Sequence, residues 1–292
     1  MTRKKLLICR AFALLLLLPA IVTPAYSWGS GTHAWISDKS LDDIIDFIPE
    51  LDDYRNTVKS YATLPDSWRA YKQDEGPNHY FDYPTGPGKV DKAILSWTIY
   101  LAMELSKTSP DSKLIAKISG VLSHYVADST TPLHCTVNYD PSDAHFTHSD
   151  IDSWLETRGG FDELEMEIIP HFIEDLHNYT MVLIESNYHL AEDQLIPAMY
   201  NNNITLIDTI VKTQVSKAVQ FFIDTVYTAK VRSNATDIEA AINPNGIKLV
   251  ETVFPQQPII NQETALMLLL GGILILSVSF VVLKKINAKK KS

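Results

Sequence analysis

Between His124 and Asp152 the chain reads H-Y-V-A-D-S-T-T-P-L-H-C and then H-F-T-H-S-D-I-D. His124 and Asp128 stand four residues apart, as do His148 and Asp152, and His134 lies between the two pairs. Residues four apart share one face of a helix, so each pair sets an imidazole beside a carboxylate. Those are ligand types that zinc accepts, and a hydrolytic zinc site leaves room for a water whose pKa the ion lowers. One such pair is ordinary helix surface. Two pairs joined by a further histidine within 29 residues point to a metal site.

More donors lie upstream. Asp66 sits in L-P-D-S-W-R and His79 in G-P-N-H-Y-F-D-Y. Asp66 also has a plainer reading, as a cap on the turn at Ser67, but both residues are available to complete a coordination sphere. The aromatic residues around them, Trp68, Tyr80, Phe81 and Tyr83, are of a type that packs in a core or lines a substrate pocket. Residues 1–27 have the parts of a secretory signal: basic Arg3, Lys4, Lys5 and Arg10, an apolar run from Phe12 to Val22, and small residues at Ala25 and Ser27. Cleavage after Ser27 is expected, against the alternative of an uncleaved anchor. It would give Trp28 a free amine, and that amine with the Trp28 carbonyl can chelate an ion in a five-membered ring. His33, five residues on, is in reach of the same ion.

The elements that must carry these groups read as helices. Trp35 to Ile48 has helical apolar spacing ended by Pro49. Residues 62–89 read as a long loop, because prolines alternate with glycines there, and loops of that length in compact domains are usually functional. Helical patterns follow over Lys89–Lys107, Asp111–Ala127 and Ser149–Leu155, the last stopped by Gly159 and Gly160. Two longer ones cover Phe161–Leu195, with a break at Pro170 in question, and Ile204–Val231. No strand alternation or repeat competes. Rigid helices can bring two His/Asp pairs together on metal.

Beyond the expected domain at 28–253, Phe254–Pro258 reads as an extended stalk within a linker at 254–263. Residues 264–283 form a nearly continuous apolar run without charge, enough for a membrane-crossing helix. Lys284, Lys285, Lys289, Lys290 and Lys291 follow in a basic tail at 284–292, which by the positive-inside rule stays cytoplasmic. The expected location is therefore the cell membrane, single-pass, with residues 28–263 on the extracytoplasmic side. All 35 acidic residues fall in that exported part; of the 25 basic ones, four lie before it and five after it, leaving 16 and a formal charge near −19. So acidic a surface disfavours unaided capture of a polyanion, and no stable nucleic-acid partner is expected. Cys135 is the single cysteine outside the signal segment, so no internal disulfide staples the domain. Sequons begin at Asn178, Asn203 and Asn234 and mark surface if glycosylated.

The mature start W-G-S-G-T-H, the P-D-S-W and N-H-Y-F-D segments and the His124–Asp152 block together resemble the bacterial zinc-dependent phospholipase C family and, more distantly, the fungal zinc nucleases of the same fold. The family pattern H-x3-D-x5-H-x13-H-x3-[ED] is met at all five positions. The resemblance implies an all-α fold with three zinc ions at the bottom of a cleft. One would be held by Asp66, His79, His124 and Asp128. A second would be held by His134, His148 and Asp152. The third would take the Trp28 amine and carbonyl, His33 and a bridging Asp128. Asp66 is then the ligand expected also to orient or deprotonate the attacking water. The W-G-x3-H spacing is nuclease-like, the short gap from His134 to His148 is phospholipase-like, and Asp152 stands where the phospholipases carry glutamate.

The fold expected is therefore all-α, with one C-terminal transmembrane helix. The function expected is zinc-dependent hydrolysis of a phosphodiester, with membrane phospholipid as the leading substrate. A nuclease or nucleotidase is the alternative enzyme. A non-enzymatic membrane module braced by metal is the alternative outside enzymes, although structural zinc sites are usually closed and cysteine-rich.

Overall fold

The computed structural model describes residues 28–68, 75–164 and 166–255. By internal contacts the chain divides into two units, Met1–Val253 and Phe254–Ser292. Only Phe254 and Pro255 of the second are described. The expected signal segment at 1–27, the apolar run at 264–283 and the basic tail at 284–292 lie outside the described residues. Among those described, no helix is long and apolar enough to cross a membrane.

The first unit is all-helical. Its helices are α1 (Ser30–Ile44), α2 (Arg55–Ala62), α3 (Pro65–Trp68), α4 (Val90–Leu105), α5 (Ser112–Thr130), α6 (His148–Asp152), α7 (Trp154–Arg158), α8 (Leu176–Leu190), α9 (Ile196–Tyr200), α10 (Ile204–Arg232) and α11 (Ile238–Ile242). The sole β pairing among the described residues is an isolated bridge between Phe81 and Gly88.

α5 is the axis of this unit. Asp111 caps its start by accepting from the Leu114 N–H at 3.0 Å, and from Ile118 to Thr130 every residue is buried. Helices α1, α2, α4 and α10 pack around it. Their inward faces supply Ile36, Leu41, Val58, Ile94, Trp97, Leu101, Phe222 and Val226, each at most 1% exposed. Burying such a side chain contributes roughly 1.5–3 kcal/mol. The closest approach is at Gly120, where an added Cβ would stand 2.4 Å from the Val58 carbonyl oxygen and 2.6 Å from Tyr61 Cβ. Glycine lets α2 and α5 meet backbone to backbone, and that contact brings the end of α2 over His124.

Three expectations about elements change. α1 begins at Ser30 rather than at Trp35, because Gly29 ends the extended approach and helical hydrogen bonding starts at once, His33 N–H to Gly29 O at 3.1 Å. α2 forms where no helix was expected; it is short and polar on its outer face, and only Val58 and Ala62 are buried. The helical pattern from Phe161 to Leu195 does not hold as one helix. Residues 166–175 carry no helix, and α8 starts only at Leu176. This segment is instead strapped across α10, with the His171 N–H on Asp224 Oδ1 at 2.8 Å and the Ile173 N–H on Thr228 Oγ1 at 2.9 Å. Apolar spacing is blind to such a strap, because Ile173 and Leu176 are buried either way.

Candidate metal centre

His124 and Asp128 lie in the buried second half of α5, both fully covered. The His124 Nδ1–H donates to the Ala62 carbonyl at 2.8 Å. That bond fixes the tautomer and leaves Nε2 as the lone-pair nitrogen facing the interior. There Nε2 lies 3.0 Å from His79 Nδ1 and 3.2 Å from Asp128 Oδ2, and His79 Nδ1 is 2.9 Å from the same oxygen. With zinc bonds of about 2.0–2.2 Å, ligand atoms on a tetrahedron sit roughly 3.3–3.5 Å apart. The three atoms form one slightly contracted face of such a tetrahedron. Asp66, in the single turn α3, stands on the same centre, with Oδ1 3.7 Å from His79 Nδ1 and 3.9 Å from His124 Nε2.

A second group gathers His134, His148 and Asp152. His134 follows the end of α5 on a short turn, Pro132–Cys135, and donates its Nδ1–H to the His79 carbonyl at 2.7 Å. His148 and Asp152 are the first and last residues of α6. The helix starts at His148 because Thr147 and Asp150 form a reciprocal capping box. One turn later Asp152 Oδ2 lies 3.2 Å from His148 Nε2.

His33, on α1, completes the set. Its ring stacks on that of His124 at 4.1 Å between centroids, and its Nε2 lies 3.5 Å from Asp128 Oδ1. The two oxygens of Asp128 therefore divide their work. Oδ2 faces His79 and His124, while Oδ1 faces His33 and, at 3.9 Å, His134. Trp28 is buried next door: the Gly29 N–H donates to the Asp152 carbonyl at 3.0 Å. Glu156 on α7 accepts from the Thr32 N–H at 2.7 Å and from its hydroxyl at 3.1 Å. Gly29 and Gly31 leave room for that carboxylate, since a Cβ on either would come within 2.8 Å of it.

Electrostatically the arrangement is short of positive charge. Burial opposes the charged form of His124, yet Asp128 and Asp66 outweigh it and raise its pKa to about 9. Burial would raise the Asp128 carboxyl, but His124 and the other imidazoles hold it well below the ordinary range. Asp66 is likewise pushed up by burial and pulled lower still by His124 and His79. Burial keeps His33 below its usual value, and it drives Asp152 well above the carboxylate range. Among the described residues, both carboxylate oxygens of Asp152, and Oδ1 of Asp128, are buried without a hydrogen-bond donor. A buried acceptor left so costs about 1–3 kcal/mol, more when charged. Nitrogen and carboxylate donors around uncompensated negative charge fit divalent zinc.

The other residues singled out from the sequence divide. Trp68 is 2% exposed and faces Trp97 at 6.2 Å, a core side chain and not part of an open substrate surface. Tyr80, Phe81 and Tyr83 are half-buried, on a segment laid beside the second group by the Phe81 N–H on the His134 carbonyl (3.0 Å) and the Tyr83 N–H on the Cys135 carbonyl (3.1 Å). The Tyr83 hydroxyl is committed to Glu185 on α8 at 2.6 Å. Cys135 is buried, and burial pushes its thiol pKa far up, so it stays an inert core group.

Sequence reasoning missed three contributors. Tyr139, 52% exposed, sets its ring edge-on to His148 at 5.6 Å, and Val137 beside it is 56% exposed. Their signal was an apolar-aromatic T-V-N-Y beginning two residues after the candidate ligand His134. Glu75 is fully buried against the outer side of His79, and Tyr125 donates its hydroxyl to it. Glu156 had no signal at all, because its partner Thr32 is 124 residues away.

No curated protein matches this chain. The family described as zinc-dependent phospholipase C matches residues 32–214. That span reaches from one residue before His33 through every side chain of the three groups and on into α10; Trp28 falls just before it. Because that match covers well over half of the chain, and the matched residues gather imidazole and carboxylate groups that could hold metal, the chain belongs to the zinc-dependent phospholipase C family.

Proposed function

We propose that this protein is a phospholipase C, hydrolysing membrane phospholipid on the glycerol side of the phosphodiester. The observation that carries the reading is the division of Asp128 between two sets of imidazoles, which supports several cations a few ångströms apart facing one substrate phosphate. The residues that would hold them are Asp66, His79, His124 and Asp128 for one, His134, His148 and Asp152 for another, and His33 with Asp128 and the Trp28 terminus for a third. When bound, zinc supplies Lewis-acid charge that activates water and offsets the phosphate oxygens.

The chain's own side chains do the rest. Asp66 has the most open of the candidate carboxylates, at 30% exposure, and stays ionised at neutral pH. It accepts a hydrogen bond from the attacking water and turns a lone pair toward phosphorus. The water oxygen joins phosphorus as Asp66 takes its proton, the bond from phosphorus to the glycerol oxygen breaks, and that proton passes to the leaving oxygen, which departs as the alcohol. Tyr139 and Val137 offer exposed apolar surface near His148 for the acyl-glycerol portion, and Tyr80 and Phe81 lie on the segment held against His134. The excess of carboxylates over the exported part argues against long nucleic acid as substrate. The apolar run at 264–283 with its basic tail supports a membrane anchor that keeps the domain on the extracytoplasmic side, next to lipid headgroups.

The test is the full chain in detergent micelles, offered phosphatidylcholine, other phospholipids, single-stranded DNA and RNA, before and after chelation. Phospholipid turnover that chelator abolishes and zinc restores is the expected result. Turnover of nucleic acid alone would move the protein to the nucleases, and full turnover without metal would end the proposal.

A further inference from the structure

Behind the first group of ligand atoms lies a carboxylate that the proposed chemistry does not use. Glu75 is fully buried at the start of the turn Gly76–His79. Its Oε1 takes the hydroxyl of Tyr125, the neighbour of His124 on α5, and the same oxygen stands 3.7 Å from His79 Nε2. Its Oε2 lies 3.4 Å from the Asn78 side-chain amide.

What this carboxylate does for the site follows from how His79 is turned. Its Nδ1 faces three ligand atoms, on Asp128, His124 and Asp66, at 2.9, 3.0 and 3.7 Å. Nδ1 must therefore carry the lone pair, and the ring proton must sit on Nε2, the atom that faces Glu75. A carboxylate behind an imidazole selects that tautomer, holds the ring plane and makes the ligand nitrogen more basic. Tyr125 in turn ties Glu75 to α5, the helix that carries His124 and Asp128. We infer that Glu75 is a positioning residue for the zinc ligand His79, held in place by Tyr125, and that it sets the affinity of the first zinc site. This rests on the reading of the cluster as a zinc centre.

The experiment compares the full-length wild type with Glu75→Gln and Tyr125→Phe, measuring zinc per chain by elemental analysis, zinc affinity by chelator competition, and melting of the zinc-free proteins. Glu75→Gln is expected to weaken one zinc equivalent by about 10–100-fold and leave the others in place. Zinc-free, it should still fold and melt cooperatively, because a group of the same shape stays in place. Tyr125→Phe keeps the carboxylate and should weaken the same equivalent by less. If Glu75→Gln binds every equivalent as tightly as wild type, or fails to fold when zinc-free, the carboxylate is a structural group and the inference is overturned. Wild type that binds no zinc at all would overturn the metal-centre reading itself, a result distinct from either.

Discussion

Asp128 Oδ1 lies 3.5 Å from His33 Nε2, although the two residues come from different helices and are 95 positions apart. Because the other oxygen of the same carboxylate faces His79 and His124, Asp128→Asn should disturb more than one metal position, whereas His33→Ala should disturb one. Elemental analysis should show Asp128→Asn losing more zinc per chain than His33→Ala. In the zinc-free state Asp128→Asn should also lower stability in urea unfolding, by up to about 3–5 kcal/mol, since it leaves the buried His124 charge with only the more distant Asp66. Equal zinc loss in the two variants would show that Asp128 does not bridge.

The zinc-free protein should have a pH dependence set by His124. Its pKa is raised to about 9 in the fold from 6.5, so the stabilisation by Asp128 and Asp66 is fully present below pH 6.5 and disappears as pH rises through 9. The zinc-free melting temperature should fall across that window. The same proton must leave when zinc binds, so zinc affinity should rise about tenfold per pH unit toward pH 9. Calorimetry in buffers of different ionisation enthalpy would measure the released proton; a pH-independent affinity would contradict the assignment.

Gly120→Ala separates packing from chemistry. Helix propensity alone favours alanine by about 1 kcal/mol, but the new methyl would meet the Val58 carbonyl and Tyr61 Cβ, neither of which can swing aside. Overpacking of this kind costs about 1–3 kcal/mol or more. The variant should unfold at lower denaturant and still bind zinc. A variant more stable than wild type would disprove the close approach of α2 and α5.

The N-terminal segment yields a fourth expectation. Gly29 is tied to the Asp152 carbonyl and Thr32 to Glu156, so the residue before them is held beside the second group of ligands. Mass spectrometry of the protein expressed with its own residues 1–27 should find Trp28 first. A form that retains Ser27 should carry one zinc fewer, because its amine is displaced by a residue. Glu156→Ala should lose about 1 kcal/mol of stability, as for a lost helix N-cap. Full zinc content in the extended form would remove the terminal amine from the ligand set.

Much of the site was readable because its ligands repeat at helical spacing. His124 with Asp128, and His148 with Asp152, needed only the rule that residues four apart share a face, and α5 and α6 deliver them that way. Asp66 and His79 were readable only as donors in a proline- and glycine-rich loop, and their place depended on resemblance. Trp68 looked like a pocket residue and is core, because an aromatic side chain carries no mark of which side of a turn it will face. The strap at 166–175 looked helical for a related reason: spacing reports burial, and this segment is covered by hydrogen bonds to α10 rather than by its own.

The sequence by itself determined that the domain is helical, that it is rich in carboxylates, and that His124 with Asp128 and His148 with Asp152 share helix faces, since these follow from local periodicity and residue chemistry. The tertiary structure alone decided that one Asp128 oxygen serves one set of histidines and the second oxygen another. It also decided that Glu75 backs His79, that Glu156 clamps Thr32, and that Tyr139 meets His148. Those relations join residues from 4 to 124 positions apart, and they arise when α2 closes on Gly120 and the loops settle around α5. Short-range pattern cannot encode a distance between segments that only packing brings together.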